Sequence, residues 1–240
     1  KYELIETRDE TKDLIKKNPM ITWLDKYKAE LEKINLSEQD SLAEYTPSQR
    51  KVTYISCSDC HQAQVDFWQE TPHSLAYLTL VKANEEHNPK CIACHSLGFQ
   101  DKNAFISTKK VIHTEKTDFD QDKYIANFIE TSKIKFPIRD QKKSHLQKMA
   151  KTWLKSDVKN GVTHNYANVQ CLHCHSQNSD HPFSSDNVVK KIDLKAQCIS
   201  CHNPDQSPSW YDKDSKGLAT SLNAEYFAKK LKEVSCPKIE

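Results

Sequence analysis

Glycine is nearly missing from this chain, with three residues in 240, so turns must be built from Asn, Asp, Ser and Pro. Methionine numbers two, Met20 and Met149. Hydrophobic residues make up 37%, below the usual globular range, which implies a thin side-chain core. No apolar run approaches the roughly 18 residues that span a bilayer, which excludes a transmembrane helix. No apolar signal segment follows Lys1. Alternating apolar and polar runs are absent too, so no strands are expected. The formal net charge is only +2 and carries no nucleic-acid signal.

What is abundant is cysteine followed by histidine. Cys57-Ser-Asp-Cys60-His61, Cys91-Ile-Ala-Cys94-His95, Cys171-Leu-His-Cys174-His175 and Cys198-Ile-Ser-Cys201-His202 all read C-x-x-C-H, the attachment pattern for c-type haem. On a helical turn, positions i and i+3 share a face, so both sulfurs can reach the two vinyl carbons on one porphyrin edge. The next residue swings under the ring, and its imidazole takes the iron. Zinc explains the cysteine pairs but not a His after each; that is a chance event on the order of 1 in 100,000. The gaps between pairs, about 30 and about 23 residues, also exceed those of common zinc ribbons. Structural disulfides belong to small scaffolds and do not repeat one pentapeptide. Cys236 is left over, as a free thiol or an interchain disulfide partner.

Four covalent haems c, each with its iron, change the packing balance. Their flat apolar faces supply core that the side chains lack, and the polypeptide becomes a wrapper. Each ferric haem with ionised propionates adds about one negative charge, so the oxidised holoprotein sits at about −2 and partners are chosen by local patches. Attachment to C-x-x-C-H follows export, so a periplasmic or otherwise exported location is expected, with a leader or upstream domain removed.

Residues 1–50 form an N-terminal segment, with a helix at about 20–35 and a polar linker to Thr46-Pro47. Residues 51–240 form the tetrahaem domain. It holds a first motif pair at 57–95, a Lys-rich insertion at 101–165 and a second pair at 171–202. A C-terminal helix follows at about 221–235. The insertion carries an amphipathic helix at about 142–156, with Leu146, Met149, Ala150, Trp153 and Leu154 on one face. The fold class is all-α with long loops, helices wrapped around a four-haem core.

Seven further histidines, His73, His87, His113, His145, His164, His173 and His181, face four irons, while Met could serve two at most. Mostly bis-His, low-potential haems follow. Thr71-Pro72 reads as a helix start that puts His73 in the first turn, where the positive helix end favours the neutral, ligating ring.

The chain resembles the cytochrome c-554 family of tetrahaem cytochromes. The matching residues are Cys57 to His61 with Gln62-Ala-Gln, Trp68, Thr71-Pro72-His73 and Ala76, then Cys91 to His95 with Gly98-Phe99. Val169-Gln170 with Cys171 to His175, His181, and Cys198 to His202 complete them. The resemblance covers about 57–99 and 168–210, more weakly the helix near 20–35. It implies a mostly helical fold with closely packed haem pairs. It also implies that His73 ligates the haem of motif three and His181 the haem of motif one. The chain departs from the family in having Ser176-Gln-Asn where the family has Gly-Pro-Gly, a longer insertion, and no His after His202. The helix ahead of motif one also resembles the stretch that joins a metallophosphatase domain to this domain in some fusion proteins, so such a fusion is one expected origin.

His87 and His173 are poorly placed to serve their own haems. The insertion supplies the remaining ligands: His164 for haem two and His145 for haem four, with His113 in reserve. The leading function is an electron carrier between redox partner proteins, not an enzyme with a catalytic residue of its own. Two alternatives stay open. One is a haem enzyme with an empty sixth position, reducing a nitrogen oxide, hydroxylamine or peroxide. The other is a self-associating filament subunit.

Overall fold

The structure is a computed structural model and describes residues 18–39, 42, 45–47, 49–175 and 193–237. Helices hold 56% of these and strands 9%. Helix α1 (Pro19–Gln39) starts at Pro19, with the Asn18 side chain accepting from the Met20 N–H. It docks by its last residue: Gln39 accepts from the Ser107 hydroxyl and the Thr108 N–H. Lys28 pairs with Glu85 at 3.0 Å. Its outer face leaves Met20, Trp23, Leu24, Tyr27 and Ile34 exposed.

Short helices α2 (Tyr54–Cys57), α3 (Gln62–Gln69), α4 (Tyr77–Ala83) and α5 (Pro89–His95) carry the first motif pair. The insertion forms α6 (Gln121–Ser132) and α7 (Lys143–Lys159). Helix α8 (Leu194–Cys201) carries motif four, and α9 (Ala224–Val234) follows. The expected helices at 20–35, 142–156 and 221–235 thus appear within a few residues of their expected ends.

The structure departs from the expected absence of strands. β1 (Ile112–Thr114) pairs antiparallel with β2 (Val162–Asn165), and β3 (Tyr211–Lys213) with β4 (Ala219–Leu222). His164 therefore lies on a strand. Strands of three or four residues, the first pair about 50 residues apart, are too short to show alternation.

A side-chain core is present as well. Leu75, Tyr77, Leu78 and Ile92 from the first motif pair meet Phe105, Phe128, Ile138, Leu146, Trp153 and Tyr166. The face of α7 buries Leu146, Met149, Ala150 and Trp153, as its periodicity requires. The insertion is thus part of the core that positions the motifs. All three glycines lie at positive φ, and Asn84, Gln100, Lys133 and Asn168 adopt the same left-handed backbone without being glycine.

One carboxylate ties the layers together. Asp157 is fully buried and accepts hydrogen bonds from the Tyr54 and Tyr124 hydroxyls and the Asn165 amide. Burial pushes its pKa up to about 6, although the three donors pull it down. The folded state therefore keeps a proton that the unfolded chain releases near its ordinary value. Stability from this group is full below about pH 4, falls as pH rises to about 6 and stays low above. Asp157→Asn should abolish that step, on the order of 2–3 kcal/mol. Urea unfolding of both proteins at pH 4, 5, 6 and 7 checks it; parallel curves would contradict it.

Candidate haem centre

Each C-x-x-C-H string closes a helical turn. The His61 N–H donates to Cys57 C=O at 2.9 Å, His175 to Cys171 at 2.9 Å and His202 to Cys198 at 2.8 Å. Motif two lies inside α5, which Asn88 caps and Pro89 starts. Both thiols of each motif thus sit one turn apart, as a two-vinyl edge requires.

The motifs meet across the two pairs. Cys57 and Cys171 both pack against Tyr54, Val65 and Trp68, and the neighbouring thiol holds the pKa of Cys57 down and that of Cys171 up. Burial first, and then the Cys201 thiol, push Cys94 up to about 12. Motif one therefore packs beside motif three, while His202 of motif four approaches the His73 turn, next to the Ala76 carbonyl that holds His95 of motif two.

The histidines divide by what their nitrogens do. His95 Nδ1 donates to Ala76 C=O at 2.8 Å, which leaves Nε2 for a metal. His202 Nδ1 is held by the Ser207 hydroxyl at 2.9 Å, and Trp210 stacks on the ring at 4.2 Å. Tyr226 and Phe227 of α9 meet Trp210 edge-on. Sequence reasoning missed Trp210 and Ser207, because nothing local distinguishes Ser207-Pro-Ser-Trp210 from another loop. His175 is exposed.

His173 accepts from the Gln170 N–H and donates from Nε2 to Ser96 C=O, so both nitrogens are spent. His87 lies between Thr108 and Asp122; burial lowers its pKa, but Asp122, Glu86 and Glu32 leave it raised. His113, His145 and His164 are different: each keeps one buried ring nitrogen without a partner. An orphaned buried nitrogen is costly, so each suits a partner that the chain does not supply. His113 faces His164 across the β1–β2 pair, with Tyr166 against both rings.

His73 follows Pro72 in a single 3₁₀ turn, Pro72–Leu75, whose Thr71 hydroxyl donates to Trp68 C=O instead of capping the turn. Its ring lies 6.2 Å from that of His202. His181 lies outside the described residues.

One short segment holds these parts. Tyr54 N–H donates to the Gln170 side chain, which in turn donates to Asn165 and Ala167 C=O. Trp68 donates to Val169 C=O, and Val169 N–H to His73 C=O. Asn168 N–H donates to His95 C=O, while its side chain accepts from Tyr77 N–H. Residues 165–170 thus hold Tyr54 and Trp68 on either side of motif one, the His73 turn and motif two, and lead into motif three.

A family described as cytochrome c554 and c-prime matches residues 56–118. The match supports a c-type cytochrome. It implies covalently bound haem c, and the geometry of motifs one and two suits it: paired thiols on a turn, and His95 with only Nε2 free. The match spans those two motifs, the His73 turn and His113, and ends before motif three. No curated protein and no solved structure matches the chain. No described helix is long and apolar enough to cross a membrane.

Burial, then Arg50, His164 and Lys110, push His113 down to about 3. The unfolded chain takes this proton first as pH falls, so stability is present above about 6.5 and lost toward 3. His113→Gln should remove about 2–4 kcal/mol of the acid-side loss, read from thermal melts between pH 4 and 7. An unchanged acid limb would refute it.

Proposed function

We propose that this chain is an exported tetrahaem cytochrome that passes electrons between redox partner proteins. The observation that carries the reading is the packing of Cys57 and Cys171, from motifs one and three, against one small cluster of Tyr54, Val65 and Trp68. Those sulfurs would anchor porphyrin edges, so neighbouring edges would lie close, and electron transfer falls steeply with edge separation. Haem c, when bound, supplies one-electron exchange at its iron.

The chain's own residues do the rest. The eight motif cysteines would hold the porphyrins, and His61, His95, His175 and His202 would each offer a ring nitrogen to an iron. Second ligands come from outside the motifs. His73 and His181 are proposed from the resemblance to the family, His145 and His164 from their unpartnered ring nitrogens, with His113 in reserve. Bis-His ligation leaves no open position for substrate and keeps potentials low. Burial of His95 lowers its pKa, so the neutral, ligating ring is preferred.

The denatured protein should exceed the polypeptide mass by four haems, with none extracted by acid–acetone. Substoichiometric dithionite should then redistribute among all four haems within the mixing time of a stopped-flow experiment. Fewer than four haems would sink the motif reading. Four haems that reduce independently would sink the conduit.

A further inference from the structure

We infer that His73 and His202 are the two axial ligands of one haem, the haem attached through Cys198 and Cys201. The inference rests on the tetrahaem reading and differs from the family resemblance, which gives His73 to the haem of motif three. Its basis is a distance. An imidazole nitrogen lies about 1.2 Å from its ring centre and bonds a first-row metal at about 2.0 Å, so two rings on one iron have centres roughly 6.4 Å apart. The observed separation is 6.2 Å. A direct N–H···N hydrogen bond would draw the centres to roughly 5.2 Å. The interplanar angle is 41°, far from a parallel stack. Each ring plane contains its own metal–nitrogen bond, so any twist between the rings is compatible with shared ligation.

The surroundings agree. His202 has Nδ1 tied to Ser207 and its ring braced by Trp210, which leaves Nε2 as its free nitrogen. The Tyr211 hydroxyl donates to His202 C=O and fixes the backbone beneath the ring. His73 sits on a proline-started turn whose carbonyl is held by Val169. The same turn adjoins motif two, since His95 donates to Ala76 C=O. His175 is exposed. An axial bond between His73 and His202 would also clamp residues 193–237 onto the first motif pair.

His73→Met in the four-haem protein tests this. One haem becomes His/Met, its midpoint potential rises, and the reduced protein shows one upfield methionine methyl resonance. That methyl should give NOEs to the porphyrin whose thioether protons belong to Cys198 and Cys201. NOEs to the porphyrin on Cys171 and Cys174, or a variant with every haem still bis-His, would overturn the assignment. If the variant does not accumulate, NOEs in the unmodified reduced protein decide it. His73 ring protons should reach the meso protons of the Cys198/Cys201 porphyrin, and contact with a different porphyrin refutes the pairing. A denatured mass short of four haems would instead overturn the reading beneath it, leaving the two failures distinguishable.

Discussion

The arrangement depends on the backbone of residues 165–170. A chain that must bring four distant pentapeptides together needs something that contacts several of them at once. This segment does so with polar groups. Asn168 binds the backbone of His95 and Tyr77, Val169 that of His73, and Gln170 that of Tyr54. Asn165 and Gln170 are buried, so leaving their amides unpaired would be expensive, and one register satisfies them. The apolar core alone could not specify that register, because hydrophobic contact is not directional.

The insertion takes its meaning from this segment. It contributes Phe105, Phe128, Leu146 and Trp153 to the core, and Asp157, whose carboxylate receives Tyr54 from beside motif one and Asn165 from the segment itself. Two acid-sensitive groups therefore pull in opposite directions. Asp157 favours the fold when protonated, and His113 favours it when neutral.

The local parts of this architecture were legible in the sequence. The C-x-x-C-H turns, the Pro72 turn that bears His73, and the face of α7 each follow from spacing within a few residues. What was hidden is non-local. The pairing of β1 with β2 joins segments too short to show a period. The crosswise meeting of the motifs depends on contacts over a hundred residues apart, between Tyr54 and Gln170 or Trp68 and Val169. The partition of histidines was partly visible. His87 and His173 looked poorly placed and prove to have both nitrogens engaged. Among the described histidines, the fully buried nitrogens without a partner fall on His113, His145 and His164, all within or at the edge of the insertion. Trp210 against His202 left no trace in the sequence, since stacking partners carry no spacing rule.

The left-handed turns bear on how this chain could change. Its glycines are spent, and Asn84, Gln100, Lys133 and Asn168 hold positive φ with a side chain attached. Such a backbone costs a β-carbon about 1 kcal/mol, less for Asn than for Gln or Lys. Gln100 and Lys133 are thus small debts carried away from the proposed ligands. Glycine at either site would release strain there without touching a motif. The protein therefore holds a reserve of stability in its loops, open to selection or to engineering, that could offset the cost of new side chains around the proposed haem sites.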